Sequence, residues 1–182
     1  MSRIPTPTAD QAPATSQPLL AAVQQKLGTV PNLFRIVANS PPTLEAYLGF
    51  SEALGKGELT PATRERIALA VAEVNGCDYC LSAHTYLALN LAKLDEAEIT
   101  ANRSGASNDL TADAAVRFAA KITRQRGQVG EADIAGLRQA GYSDGEIVEI
   151  VGHVALNVFT NYVNEALKTD IDFPRIGARK AA

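Results

Sequence analysis

The stretch from Glu65 to His84 holds the residue types in this chain best suited to chemistry, in the pattern E-x11-C-x2-C-x3-H. Cys77 and Cys80 are three residues apart, so on a helix they share a face and can approach disulfide geometry. His84 follows four residues after Cys80, which stacks it one turn above on that face. Gly76 breaks the preceding helix, so both sulfurs fall in the first turn of the next one. There the unpaired backbone N–H groups and the helix dipole favour a thiolate, the form that attacks peroxides and disulfides.

Glu65 stands 11 residues before Gly76 and His84 eight after it. At about 1.5 Å rise per residue these are axial distances of roughly 16 Å and 12 Å. If the two helices fold back as an antiparallel pair, carboxylate and imidazole come level, with Cys80 one turn below. The carboxylate then orients the imidazole, and the imidazole takes the thiol proton. An open corner at Gly76 would separate them.

Other readings of the same residues stay open. Two cysteines in a helical protein can be packed core. They can also be zinc ligands with His84, taking His153 or Glu65 as the fourth, although the second closely spaced ligand pair usual in structural zinc sites is missing. Glu65, between Arg64 and Arg66, has the neighbours of a solvated face. His153 lies on an apolar helix, where a hydrogen-bonded core histidine is the ordinary case. Tyr79, between the cysteines, is a secondary candidate that can also simply pack.

The elements that must position these residues are all helical. Ser40-Pro41 and Thr60-Pro61 each pair a capping residue with a first-turn proline. The Thr60 helix carries Ile67, Val71 and Val74 on one face and ends at Asn75-Gly76. The next is expected from Cys77 to about Leu94, continuing helically from Asp95 to Arg103. Earlier, Leu19, Leu20, Val23 and Leu27 share a face before Gly28, and Asn32 can cap a short helix. Later, Thr111 is the expected cap of a helix through Ile122, and a short helix spans about Glu131 to Gln139. Ser143-Asp144-Gly145-Glu146 is a capping box that opens a long apolar helix through Ile147, Ile150, Val151, Val154, Val158 and Val163. No strand-like alternation of useful length occurs, so the class is all-α. Residues 1–17, with Pro5, Pro7 and Pro13, read as a mobile arm; residues 18–168 form the helical domain; residues 169–182 read as an extended tail ending in basic residues.

Bulk properties agree and exclude several classes. A chain of 182 residues suits one domain with a core of its own. Aromatics are 5% of the residues and Trp is absent, so the apolar content is mainly Ala, Leu, Ile and Val, which favours close-packed helices. A formal net charge of −3 gives no reason to expect nucleic acid or an anionic membrane as partner. No stretch approaches the roughly 20 apolar residues needed to cross a bilayer. The N-terminal run lacks the apolar segment of a secretory signal, so a cytoplasmic location is expected, where a C-x2-C pair is more often catalytic or metal-binding than a structural staple. No nucleotide, flavin or haem motif is visible, and no bound cofactor or metal is expected.

The motif in an alanine-rich helical chain, with the text VNGCDYCLSAHT from Val74 to Thr85, resembles the alkyl hydroperoxidase D-like branch of the carboxymuconolactone decarboxylase family. The specific match covers about Thr60 to Leu91. The closing NVFTNYVNEALKTDIDFP is similar to the end of its peroxidase-related members. The resemblance implies that the helix carrying the cysteines packs in an antiparallel pair, and that the chain forms a homo-oligomer, commonly a trimer or hexamer. It also implies reduction of organic hydroperoxides or hydrogen peroxide by a cysteine pair recycled by an external dithiol, possibly of dihydrolipoyl type, on a small molecule or a protein. Carried over by position, Cys80 is the attacking thiol, Cys77 the resolving one, and Glu65 with His84 the proton relay. The first cysteine of a C-x2-C is often the more exposed and more acidic, which favours Cys77 instead; only Cys80 lies one turn from His84. The characterised hydroperoxidase has a histidine where this chain has Tyr79, and a phenol of pKa about 10 is a poor base at neutral pH.

Two further functions compete with the peroxidase. One is a non-redox decarboxylase or isomerase of the parent family, using His84 or His153 as general acid or base. The other is a redox-sensing or zinc-binding module.

Overall fold

The computed structural model describes residues 1–179. The basic end of the expected C-terminal tail, residues 180–182, lies outside the described residues. These residues form α1 (Gln17–Leu27), α2 (Asn32–Val37), α3 (Pro41–Gly55), α4 (Pro61–Asn75), α5 (Asp78–Asn90), α6 (Glu96–Arg103), α7 (Leu110–Arg124), α8 (Glu131–Gln139) and α9 (Asp144–Leu167). The class is all-α, with no strand among the described residues.

α4 is the centre of the molecule and packs against α5, α6, α7 and α9. Its stretch Ile67-Ala68-Leu69-Ala70-Val71-Ala72 is buried on every side, as befits a helix enclosed by others. The alanines keep the surrounding helices close; Ala70 packs against Val116 and Ala120 of α7. On one side of α4 lies a core with Leu20, Ile36, Leu44, Leu69 and Leu81, and on the other a core with Ile67, Val71, Phe118, Leu137 and Ile150.

Local chemistry sets most helix ends. Thr60 caps α4 by accepting the Thr63 N–H, and Ser143 and Glu146 close the expected capping box on α9. Four details differ from the sequence expectation. Asn32 is the first residue of α2 rather than its cap, which is Pro31. The helix expected to run to Leu94 ends at Asn90, and Asp95 caps a separate α6 by accepting the Glu98 N–H. Asp109 caps α7 in place of Thr111, because its carboxylate reaches two free N–H groups, those of Thr111 and Ala112. The buried face of α9 turns polar along its length: Ile147, Ile150 and Val154 line its first half, His153, Asn157, Thr160, Asn161 and Asn164 follow, and Val151 is exposed.

The segments flanking the helices lie on the body. Prolines 5 and 7 lack N–H groups but keep their carbonyls, which accept from Asn39 Nδ2 at 2.8 Å and Arg35 Nε at 2.8 Å. The Arg3 N–H donates to Leu167 O at 2.7 Å, and Ser16 Oγ donates to Ala38 O at 2.8 Å. The segment expected as a mobile arm is thus held against α2 and the end of α9. Beyond Thr169 the chain is irregular and runs along α5, with Ile171, Phe173, Ile176 and Ala178 packed on the core that includes Tyr79 and Leu81.

A buried polar cluster ties α4 to the α6–α7 connection. Glu98 accepts from Arg66 Nε at 2.6 Å, Asn102 Nδ2 at 2.9 Å, the Asn108 N–H at 2.7 Å and Ser107 Oγ. Burial opposes the charge, but the hydrogen bonds of Ser107, Asn102, Asn108 and Arg66 outweigh it and hold the carboxyl down to about 2. Glu98→Gln leaves buried Arg66 with only the more distant Asp109 carboxylate at 3.9 Å and is expected to lower stability by about 3 kcal/mol at neutral pH, read from urea unfolding. Because the folded-state pKa is depressed, this contribution is complete above the ordinary carboxyl value of 4.5 and is lost as pH falls towards 2. The gap between wild type and variant is therefore expected to close over that window; a gap constant with pH would sink the assignment.

Candidate active site

Gly76, at φ 66°, ends α4 in the left-handed region, where a side chain is disfavoured. The two-residue connection Gly76-Cys77 leads straight into α5, which folds back along α4. Glu65 Oε2 and His84 Nδ1 consequently meet at 2.8 Å, each side chain about a fifth exposed (21%). The hairpin alternative at the Gly76 break is the one observed.

Both cysteines are free thiols and both are buried, at 0% and 2% exposure. Cys77 is the N-cap of α5, and its sulfur accepts the Cys80 N–H at 3.3 Å. The first cysteine is therefore not the more exposed one. The two thiols also diverge in acidity. Cys77 is pushed far above the ordinary thiol range, first by donating to Cys80, then by burial and by the Cys80 charge. Burial pushes Cys80 upward as well, but the Cys77 hydrogen bond, the His84 charge and the Asn164 amide outweigh it and leave Cys80 below the ordinary value. The start of α5 acts on both sulfurs alike, and only Cys80, with donors around it, is left below the ordinary value.

His84 is held towards its charged form. Burial disfavours the imidazolium, but the Glu65 charge and hydrogen bond, then Cys80 and Asn157, raise its pKa above the ordinary value. With Nδ1 on Glu65, Nε2 is the ring nitrogen left for the sulfur side.

α9 completes the site with residues that the sequence reading missed. Asn164 Nδ2 donates to Cys80 Sγ at 3.2 Å, and Asn161 Oδ1 accepts from Asn75 Nδ2 at 2.8 Å. Asn157 Nδ2 donates to the His153 carbonyl at 2.8 Å. The signal was present as asparagines at 157, 161 and 164, a helical i, i+4, i+7 stripe in an otherwise apolar helix. Buried amides at that spacing need partners, which come from Cys80 of α5, Asn75 of α4 and the His153 carbonyl of α9 itself.

The two secondary candidates are not at the sulfurs. Tyr79 is buried, and its oxygen accepts the Leu33 N–H at 3.0 Å. Its ring meets Phe173 edge-on at 5.9 Å, and burial pushes the phenol well above its usual range, so it acts as a packing residue. His153 is two turns along α9 from Asn161, buried, with Nε2 unpartnered among the described residues rather than hydrogen-bonded as expected. Burial and the Arg64 charge lower its pKa, which keeps it neutral. Among the described residues no group of three or more His, Cys, Asp or Glu side chains is arranged to hold a metal ion. No helix there is long and apolar enough to cross a membrane.

A model of the carboxymuconolactone decarboxylase family matches residues 41–125, which span α3 to α7 and include the whole motif. A peroxidase-related protein from Silicibacter sp. TM1040 has the same fold at a TM-score of 0.81, with 30% identity over 93% of this chain and 91% of that one. An alkylhydroperoxidase AhpD core protein, also peroxidase-related, from Ralstonia eutropha JMP134 gives 0.84, with 27% identity over 94% and 92%. The debrominase Bmp8 bound to 2,3,4-tribromopyrrole shares the fold at 0.77, with 20% identity over 93% and 91%. Comparison with curated proteins finds no match.

The geometry yields a thiol that ionises easily. Alkylation of Cys80 is expected to rise with pH through an inflection below the ordinary thiol value of 9.0, as the thiolate forms. Asn164→Ala removes one donor to the charged sulfur and is expected to move that inflection up by about one pH unit. An unmoved inflection in a folded variant would remove Asn164 from the site.

Proposed function

This chain belongs to the carboxymuconolactone decarboxylase family, and on that premise we propose that it is a thiol-dependent peroxidase working through a Cys77–Cys80 dithiol/disulfide cycle. The observation that carries the reading is the acidic, hydrogen-bonded Cys80 sulfur one turn from an imidazole held by Glu65 at 2.8 Å. The peroxidase-related description of the Silicibacter and Ralstonia proteins supports it.

In the first step the Cys80 thiolate attacks the terminal oxygen of a hydroperoxide. The O–O bond breaks, Cys80 becomes a sulfenic acid, and the leaving alkoxide takes a proton from His84 to depart as the alcohol. In the second step the Cys77 sulfur attacks the Cys80 sulfenic sulfur, expelling water and forming the disulfide. An external dithiol, of dihydrolipoyl type, then exchanges with the bridge, is itself oxidised to a disulfide, and returns both cysteines to thiols. Glu65 keeps His84 protonated and oriented; it is a positioning residue. Hydroperoxide and dithiol are the two partners of the cycle, and the reducing cytoplasm is the compartment that suits it.

We also propose a homo-oligomer, a trimer or hexamer. α9 presents an outer line of Val148, Val151, Ala155, Tyr162 and Ala166, exposed and without a charge. A line of this kind suits contact between copies. Light scattering is expected to return a multiple of the 19.2 kDa chain; a monomer at working concentration would remove this part.

The catalytic reading is tested by hydroperoxide consumption with a dihydrolipoyl reductant. Cys80→Ser is expected to abolish turnover, while Cys77→Ser reacts once and stops at the sulfenic acid, trapped with a dimedone probe. Glu65→Gln lowers the His84 pKa, so less imidazolium faces Cys80 at a given pH and the thiol pKa rises. Its rate near neutral pH is expected to fall about tenfold, with the inflection moved upward. Full activity in Cys80→Ser would overturn the proposal, and an unchanged pH profile in Glu65→Gln would take Glu65 out of it.

A further inference from the structure

Two buried amide atoms beside the reacting sulfur have no role in the cycle. Asn161 and Asn164 stand three residues apart on one face of α9, at 0% and 2% exposure. Asn161 Oδ1 accepts from Asn75 Nδ2 at 2.8 Å, which holds this amide to the last residue of α4 and turns Nδ2 away from it. Asn164 Nδ2 donates to Cys80 Sγ at 3.2 Å, which holds the second amide the opposite way round. The atoms left over are a donor, Asn161 Nδ2, and an acceptor, Asn164 Oδ1. Both are buried, and neither has a hydrogen-bond partner among the described residues.

Two unpaired amide atoms cost stability that leucines of similar size would not. One can donate and the other accept, yet they do not bond to each other. Nor is the sulfur the missing partner. The Asn161 amide stands close enough to Cys80 to favour the thiolate, but no hydrogen bond joins its Nδ2 to Sγ. Polar atoms left unpaired beside a reacting atom are placed for what arrives there during turnover. A group that fits both must accept one hydrogen bond and donate another. A hydroxyl does so. The terminal oxygen of a hydroperoxide is such a group, and so is the sulfenic acid it leaves on Cys80; an alkoxy oxygen only accepts.

Resting on the peroxidase reading, we propose that Asn161 and Asn164 form a seat for one hydroxyl group at Cys80: the terminal oxygen of a hydroperoxide accepts from Asn161 Nδ2 while its O–H donates to Asn164 Oδ1. Asn161 is thereby a catalytic residue of the first step. The Cys80 thiolate attacks the seated oxygen, the S–O bond forms and the O–O bond breaks. The hydroxyl stays on the sulfur with both hydrogen bonds intact, and the leaving alkoxide takes its proton from His84. Cys80 is oxidised to the sulfenic acid and the hydroperoxide is reduced to the alcohol. The seat selects the hydroxyl end of the peroxide for attack, because the substituted oxygen has no proton to give Asn164.

The test uses the full chain carrying Cys77→Ser, which halts at the sulfenic acid, and follows its reaction with tert-butyl hydroperoxide by dimedone trapping and mass spectrometry. Alkylation of Cys80 by iodoacetamide, which brings no hydroxyl, is measured beside it. Both rates are taken above the pH inflection of each variant, so that the sulfur is fully ionised throughout. Adding Asn161→Ala is expected to slow the hydroperoxide reaction about tenfold, one hydrogen bond lost from the transition state, and to leave alkylation unchanged. Asn161→Asp keeps the acceptor for Asn75 and loses the donor; it is expected to slow the reaction at least as much, and it carries the test if the alanine variant does not fold. Unchanged hydroperoxide rates in a folded variant, or equal slowing of both reactions, would overturn the seat while leaving the peroxidase reading in place. No dimedone adduct in Cys77→Ser itself would bring down the peroxidase reading, and the seat with it.

Discussion

The structure depends most on the short connection at Gly76-Cys77. A left-handed glycine followed at once by an N-capping cysteine gives α5 no freedom to swing away from α4. That one constraint sets the meeting of Glu65 and His84 at 2.8 Å, and it puts Cys77 at the cap with Cys80 in the first turn. Residues 19 positions apart become a hydrogen-bonded pair because the chain reverses between them. The surrounding helices hold α4 in place: with buried small residues on every side, it can be packed by four neighbours without room for the pair to open.

Within that frame the two sulfurs become chemically unequal, although they stand at the cap and in the first turn of the same helix. Cys77 spends its capacity as a cap and as a donor to its neighbour, whereas Cys80 collects a hydrogen bond from Asn164 and the charge of His84. Burial by itself disfavours a thiolate at either position. The difference is made first by the Cys77 hydrogen bond and the His84 charge, to which α9 adds the Asn164 amide where an aliphatic group would add nothing. A helix that reads as apolar thereby provides the polar wall of the site, with Asn164 bonded to Cys80 of α5 and Asn161 to Asn75 of α4.

The segments outside the helical bundle also take part in the site. The N-terminal stretch offers proline carbonyls to Asn39 and Arg35, and the C-terminal stretch covers the face of α5 turned away from the sulfurs. Tyr79 connects the two arrangements, with its oxygen on the start of α2 and its ring on Phe173. Tyr79 thus has a packing role between α2 and the C-terminal segment and not a proton-transfer one.

The sequence by itself determined the class, the starts of α4 and α9, the break at Gly76 and the grouping of Glu65, Cys77, Cys80 and His84. All of these follow from local rules: capping chemistry, helical spacing and the conformational freedom of one glycine. It did not reveal that α5 stops at Asn90, because the Asp95 cap competes with a run that has no breaker before it. Nor did it show which cysteine ionises, where His153 sits, or that Asn157, Asn161 and Asn164 turn inward. Those depend on which face of α9 meets α5, a long-range choice made by the packing of both cores together. Spacing fixes which residues share a face; only the tertiary structure decides what that face meets, and the partner across it sets the charge.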